Sequence, residues 1–475
     1  MAGGAAACSA FGRTGARARI AIVGAGAAGL SAAHRLADRA DCTLYEASNR
    51  VGGRMFTRRN FTPEGQFCEL GGELVDTGHE ALIKLAAELG VEIQRIAPEG
   101  EQDSDLFSIG GNYYRARDMF DPATGAGAFI PIAPRLAADQ AALLDDAGEW
   151  TERARALDNI SLRTYLDAFR PLTAAWAIDL LDLAYLGEYG RPTSEQSALN
   201  LVDLIGADEG PFAMFGDSDE AHRIAGGSSS LIEALERVIA VRAPIKLRHS
   251  LAAVEATAEG VRLIFSTTSG EQAVVADRVI LALPFTRLRA VRGVDELGLD
   301  PLQLEAIRSL GYGANAKLMV ATHGKPWRDR AAPAWFDGAV YSDAGLQIAW
   351  DTSRGQAGEG GILTNFMSPP LSGSEEDEAY ATLSAGLAAL SPAFANTLVA
   401  DNRVSFYWNR HPHSLGSYTC AAPGQYTRLL EAALEPALGG RIWFAGEHTS
   451  LDYQGFMNGA VESGERVAAT IQSIL

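Results

Sequence analysis

Cysteine is scarce in this chain: four thiols among 475 residues, Cys8, Cys42, Cys68 and Cys420, set far apart with no C-x-x-C pair. That pattern excludes a zinc ribbon and a disulfide framework as organising elements. Basic charge is also short, with 40 Lys and Arg against 59 Asp and Glu and a formal net charge of -19. A nucleic-acid binder needs a basic face, so no nucleic-acid partner is expected. The acidic balance is read as surface solubility, with a lesser leaning towards cationic substrates. Long apolar runs are missing too. The longest small-and-apolar stretch, Ile20 to Ala33, is rich in Gly and Ala and ends at His34-Arg35, short of the ~18 residues of a membrane span. No G-x-S-x-G elbow and no H-E-x-x-H pair occur, which removes hydrolases and zinc peptidases built on those motifs. His411 and His413 flank Pro412 without a third ligand, so they are read as structural and no metal is expected. Residues 1–18 are Ala-, Gly- and Arg-rich without an apolar core. They are read as a flexible tail on a soluble, cytoplasmic protein, or an exported one if a longer precursor carried a signal.

What is abundant is glycine, 50 residues where ~7% of a chain is usual. Glycine serves where a backbone turns tightly or approaches a ligand. Its first cluster has a telling context. Arg19-Ile20-Ala21-Ile22-Val23 reads as a buried strand, Gly24-Ala25-Gly26-Ala27-Ala28-Gly29 as a turn, Leu30 to Ala40 as a helix and Cys42 to Glu46 as a second strand. In such a G-x-G-x-x-G unit Gly24 permits the turn, Gly26 lets a pyrophosphate approach and Gly29 lets helix and strand pack. The helix amino end supplies N–H donors to the phosphates. Glu46, 22 residues after Gly24, is placed for the ribose hydroxyls. Gly311-Tyr312-Gly313-Ala314-Asn315-Ala316 fits the same spacing, but a strand follows it. One dinucleotide fold is therefore expected, without a second site for NAD(P)H.

Further along, His79 to Leu89 and Leu136 to about Ile205 carry helical patterns, the latter explained by core packing. Residues 245–283 switch to period two, with Ser269-Gly270 as a hairpin turn. Strands follow around Lys317–Thr322, Gly345–Phe366 and Arg441–Ala445, then a helix over roughly Phe456–Ile474. The order predicts two interleaved domains.

Arg50-Val51-Gly52-Gly53-Arg54 puts two glycines and a guanidinium beside the first phosphate turn, where arginine can bridge a pyrophosphate. With this block the chain resembles the flavin-containing amine oxidase family, which includes the monoamine and polyamine oxidases and the L-amino-acid oxidases. The match runs from Arg19 to Gly72 and continues in Gly226-Gly227-Ser228, the strand around Val254, Ala445-Gly446-Glu447-His448-Thr449-Ser450 and Gly455-Phe456-Met457-Asn458-Gly459-Ala460. The resemblance implies an α/β protein: a Rossmann-like, glutathione-reductase-like FAD-binding domain (parallel sheet with β-meander) and an inserted α+β substrate-binding domain. Residues 19–78, 220–290 and 438–475 would form the first, 79–219 and 291–437 the second.

The same resemblance implies FAD contacts at Val23, Gly24, Gly26, Ala27, Ala28 and Gly29, then at Glu46, Ala47, Gly53 and Arg54. It adds Gly71, Gly72, Glu73 and Val254, and finally Gly446, Glu447, Gly455, Phe456, Met457 and Ala460. The last helix would aim its amino end at the flavin N1/O2 edge, where it stabilises negative charge. Lys317 by itself reads as a snorkelling residue in an apolar strand; the resemblance makes it the lysine that holds a water at flavin N5. Tyr418 and Phe456 would sandwich the amine, and Trp408 would pack beside the flavin. The implied reaction is oxidative deamination: hydride passes from the amine α-carbon to N5, the imine hydrolyses to a carbonyl compound, and dioxygen reoxidises the flavin with release of peroxide. The alternatives within the resemblance are an L-amino-acid oxidase and a flavin desaturase or protoporphyrinogen-type oxidase. The partners are a small amine and dioxygen, and a homodimer is compatible.

Two departures matter. Some amino-acid oxidases carry a carboxylate-binding arginine where this chain has Leu74, although Arg115 or Arg117 from the inserted domain could serve. Glu73 and Asp76 are read as acids near the site entrance, with surface solvation as the alternative. Ser417 stands at the usual attachment cysteine, and Cys420 lies three residues away, so FAD is expected to be non-covalent. Acid precipitation should therefore leave the yellow chromophore in the supernatant; a yellow pellet would overturn the expectation.

Overall fold

The structure, a computed structural model, describes residues 17–97, 104–116, 127–206 and 213–475. Most of the expected N-terminal tail, with Cys8, and Arg117 lie outside the described residues.

The first strand, β1 (Arg19–Val23), is apolar at every position but the first because both its faces are covered. Ile20 and Ile22 pack with the helix that follows, whereas Ala21 and Val23 face Val254, Val261 and Phe265 on the other side. Helix α1 (Ala27–Leu36) and strand β2 (Asp41–Tyr45) complete the crossover unit. The parallel sheet runs Ile245–Lys246, β2, β1, Arg278–Leu281, Ile442–Phe444. Over one face lies a three-stranded antiparallel meander, Ser250–Thr257, Gly260–Thr267 and Gly270–Ala276. Tyr45 stacks on Phe265 of that meander with ring centroids 4.3 Å apart.

Segments distant in sequence build a second, seven-stranded sheet in the order Leu398–Tyr407, Ala316–Thr322, Gly361–Met367, Gln347–Asp351, Ala339–Ser342, Leu106–Ile109, Asn112–Tyr114. Its strand Ala316–Thr322 is buried throughout. Ala316, Leu318 and Val320 face Leu383 and Leu387 of the helix Glu376–Leu390, while Met319 and Ala321 face Phe61 and Leu70. Lys317 shares the second face, which turns it towards the residues that follow Leu70.

Several expected boundaries move. Helix α1 begins at Ala27, not Leu30, so Gly29 sits in its first turn. A Cβ there would meet the Gly24 carbonyl oxygen at 2.0 Å. The hairpin pairs Thr267 with Gly270, which makes Thr268-Ser269 the loop. The strand Leu398–Tyr407 was not visible in the pattern because it is an edge strand, partly exposed along its whole length, without clean alternation.

The last helix, Met457–Ser473, lies against α1 through Gly464, where an added Cβ would come within 2.2 Å of the Ala28 carbonyl oxygen. Helix propensity alone favours alanine there by ~1 kcal/mol, but a backbone atom cannot yield as a side chain can. Gly464→Ala should therefore destabilise the fold by roughly 1–3 kcal/mol. Gly78→Ala, with nothing within 4 Å of its Cβ, should stay within about 0.5 kcal/mol of the parent in urea denaturation.

Candidate functional site

The carboxyl ends of the parallel strands open on a cavity of about 440 Å³, within the range of small-molecule sites. Gly24 has φ +104° and donates its N–H to the Tyr45 carbonyl at 2.8 Å. Gly26 forms the amino end of α1 in extended backbone, without a side-chain cap, and a Cβ there would meet nothing within 4 Å. The first N–H groups of α1 have no carbonyl ahead of them and border the cavity at Ala27 and Ala28. The Gly52 N–H donates to the Ala25 carbonyl at 2.7 Å, which locks the second glycine turn to the first. Glu46 accepts the Ala25 N–H on one oxygen and the Ser48 N–H on the other, both at 2.8 Å.

At the other end of the chain the last helix also begins without a side-chain cap, at Phe456. Its approach passes through Gly455, φ +83°, whose Cβ position lies 3.2 Å from Cδ2 of Tyr418. Glu447 ties these segments together. One oxygen pairs with Arg54 at 2.8 Å, and the other accepts the Gly455 N–H at 2.9 Å. Burial pushes the Glu447 carboxyl up, but the charge of Arg54 and the hydrogen bonds outweigh it and hold it below the usual range. Arg54 also donates to the Ser417 carbonyl at 2.7 Å. His448 is buried and kept neutral chiefly by desolvation, and neither ring nitrogen has a hydrogen-bond partner among the described residues.

Lys317 reaches the same cavity from the second sheet. Its ammonium donates to the Gly71 carbonyl and to Glu73, each at 2.8 Å, and so keeps one of its three N–H groups. Glu73 also accepts from Trp350 Nε1 and Thr352 Oγ1, both at 3.1 Å. Burial pushes its carboxyl up, but the charge of Lys317 and these hydrogen bonds more than offset it, leaving it below the usual range. Trp408 donates to the Leu70 carbonyl at 2.8 Å and closes on Gly71, where a Cβ would lie 3.0 Å from the indole.

Most of the expected residues thus share one cavity: Val23, Gly24, Gly26, Ala27 and Ala28; Glu46, Ala47, Gly53 and Arg54; Gly71, Gly72, Glu73 and Lys317; Trp408, Tyr418, Gly446 and Glu447; Gly455, Phe456, Met457 and Ala460. Four expectations are corrected. Gly29 does not border the cavity; it is spent on packing against Gly24. Val254 is fully buried in the core, with its N–H donated to the Arg292 carbonyl. Leu251 borders the cavity in its stead, because the register shifts between Leu251 and Ala253. Glu73 and Asp76 are buried, not acids at a solvated entrance: Glu73 is held as above, and Asp76 accepts from Ser218 and the Glu220 N–H, both at 2.8 Å. Arg115 is turned away, donating to the carbonyls of Asp105 and Trp335.

The cavity also has lining residues that the pattern did not reveal, among them Asp105, Glu188, Glu220, Tyr341 and Trp350. A signal for Glu188 existed: it is one of few charges in the apolar helix Ala175–Tyr189. The remaining acids come from loops and strands with no local motif.

Two uncapped helix amino ends on one cavity, with an open glycine cradle between a carboxylate and a second glycine turn, fit a dinucleotide with its phosphates at α1. The comparisons agree. The family model for flavin containing amine oxidoreductases matches residues 27–472. A flavin-containing amine oxidase of Danio rerio is 24% identical over 95% of this chain and 85% of its own. An L-amino-acid oxidase of Mus musculus is 26% identical over 96% of this chain and 71% of its own. A solved structure of a putrescine oxidase bound to putrescine superposes with a TM-score of 0.78 at 23% identity, over 96% of this chain and 99% of that one. The chain belongs to the flavin containing amine oxidoreductases and shares their α/β fold; it is an FAD-dependent amine oxidoreductase.

The buried Lys317–Glu73 pair makes a checkable demand. Removing one partner strands the other charge, so Glu73→Gln should cost roughly 3–5 kcal/mol. The double variant Glu73→Gln, Lys317→Met should lose clearly less than the sum of the single variants in urea denaturation; strict additivity would mean that the charges do not support each other.

Proposed function

We propose that this protein catalyses oxidative deamination of an amine with a non-covalently held FAD, and that Lys317, Tyr418, Phe456 and Trp408 form the reacting wall. The observation that carries the reading is the convergence, in one cavity, of the α1 amino end, the amino end of the last helix and the buried Lys317–Glu73 pair. Bound FAD would supply the two-electron acceptor and pass the electrons to dioxygen.

The chain's own residues supply the setting. Residues 19–78, 220–290 and 438–475 form the cofactor-binding domain in this reading, with the glutathione-reductase-like pattern of parallel sheet and meander; 79–219 and 291–437 form the substrate domain. The amino end of α1 takes the pyrophosphate, and Glu46 has lone pairs left for the ribose. The last helix sets its positive end where charge accumulates on reduction. Lys317, oriented by Glu73 and the Gly71 carbonyl, offers its remaining N–H to a water. Tyr418 and Phe456 give the amine apolar faces that favour its neutral form and attract any protonated fraction.

Two further observations support details of this reading. Cys42, Cys68 and Cys420 are all buried, and none borders the cavity. Desolvation pushes the Cys420 thiol up to about 12, so it is a poor nucleophile for attachment. The cavity wall carries Glu188 and Glu220, and the guanidinium nearest Tyr418, that of Arg54, is paired with Glu447, which favours an amine over an amino acid carboxylate.

Anaerobic mixing with a panel of amines should bleach the flavin, and L-amino acids should do so more slowly. Bleaching by amino acids alone would make the protein an L-amino-acid oxidase. Lys317→Met should reoxidise more slowly by about a hundredfold or more, the lower end of the range for one positioned proton-handling group; reoxidation at the parent rate would remove the role given to Lys317.

A further inference from the structure

The wall of the cavity around Tyr418 holds acids with no use in the chemistry above. Asp76 and Asp219 are occupied: Asp76 by Ser218 and the Glu220 N–H, and Asp219 by Thr77. Asp105 accepts the Ala339 N–H at 2.7 Å. Glu188 and Glu220 differ, because neither carboxylate has a hydrogen bond or an ion pair among the described residues. Both border the cavity, Glu188 half-buried and Glu220 open to it, and protein atoms crowd around each.

Their placement is costly and specific. Glu188 lies at the carboxyl end of the helix Ala175–Tyr189, the negative end of its dipole. Its carbonyl accepts the Tyr418 hydroxyl, which couples it to the aromatic wall. Glu220 has φ 44°, a left-handed backbone that non-glycine residues seldom adopt, held by its N–H bond to Asp76. The basic groups whose charge reaches Asp105 and Glu220 are Arg354, for both, and Arg115, for Asp105, though neither lines the cavity. Arg354 donates to the Asp351 carbonyl and forms no ion pair with Glu220 or Asp105 among the described residues, and Arg115 is bound as described above. Phe215 and Tyr341 complete the wall. Unpaired carboxylates on a cavity wall beside aromatic faces call for an organic cation.

We propose that the amine oxidised here carries a second cationic group, and that Glu188 and Glu220 form the subsite that holds it while the reacting amine lies against Tyr418. This rests on the amine-oxidase reading above. The preferred substrate is then a diamine or an amine bearing a comparable cation, and the two glutamates are specificity determinants, not catalytic residues.

The subsite has a protonic signature. Desolvation, with repulsion from Asp76 and neighbouring acids, pushes Glu188 up to about 7 and Glu220 up to about 8. A second cation favours the ionised carboxylates, so its binding expels protons near neutrality, and the preference for it fades as pH falls below about 7. A monoamine leaves both carboxylates as they are, and any proton its reacting amine sheds in becoming neutral is shed by the diamine as well, so the excess with the diamine reports the two glutamates.

The test compares a short α,ω-diaminoalkane with the n-alkylamine of equal chain length on the FAD-loaded protein. The diamine should show a KM lower by about tenfold or more, the scale of a desolvated charge pair. It should also release more protons than the n-alkylamine on anaerobic mixing in weakly buffered indicator solution. Glu188→Gln and Glu220→Gln, which keep the side-chain shape, should each shrink the diamine-to-monoamine ratio and the proton release. Equal KM values for the two amines in the parent protein would overturn the subsite, as would glutamine variants that alter both amines alike. Absence of flavin bleaching by any amine would instead overturn the underlying reading and the subsite with it.

Discussion

The buried carboxylate of Glu447 joins parts of the chain that have no local reason to meet. Through Arg54 it holds the second glycine turn; through the Gly455 N–H it sets the entry to the last helix. Arg54 extends the link to the Ser417 carbonyl, beside Tyr418. A carboxylate in low dielectric has to collect such partners or lose its charge. Meeting that requirement brings the first glycine turns, the loop that carries Tyr418 and the last helix around one cavity, and both uncapped helix ends gain their shared target.

The Lys317–Glu73 pair plays a similar part for the second sheet. Strand Ala316–Thr322 alternates between two apolar layers, and Lys317 is the one position on its inner face that reaches the Gly71 carbonyl. Glu73 in turn draws Trp350 and Thr352 from a neighbouring strand. The ion pair thereby registers the inserted sheet against the cofactor side. It also shows how one buried charge can serve packing and leave a donor free for chemistry.

Polar groups the chain satisfies by itself and those it leaves open divide the cavity into functional zones. Glu46, Glu447 and Glu73 all have internal partners, consistent with a rigid cradle. Glu188 and Glu220 have none among the described residues, which sets their side of the cavity apart from the cradle and is the basis of the proposed subsite.

Gly24, Gly26 and Glu46 were legible in the sequence because their roles are local: a turn, an open helix end and a strand tip at a set spacing. Gly446, Glu447 and Gly455 were legible through the resemblance of the terminal block. Val254 was misplaced because a register shift of the kind a bulge produces changes which residue faces the ligand side, and no residue pattern announces it. Glu73 looked like an entrance acid because its partner, Lys317, lies 244 positions away. The amino-acid sequence by itself determined the class of fold, the cofactor and the chemistry, since these rest on short-range motifs and on backbone geometry that only glycine permits. Tertiary structure alone decided which charges are paired and which face the substrate, because pairing depends on desolvation and on contacts between segments far apart in the chain.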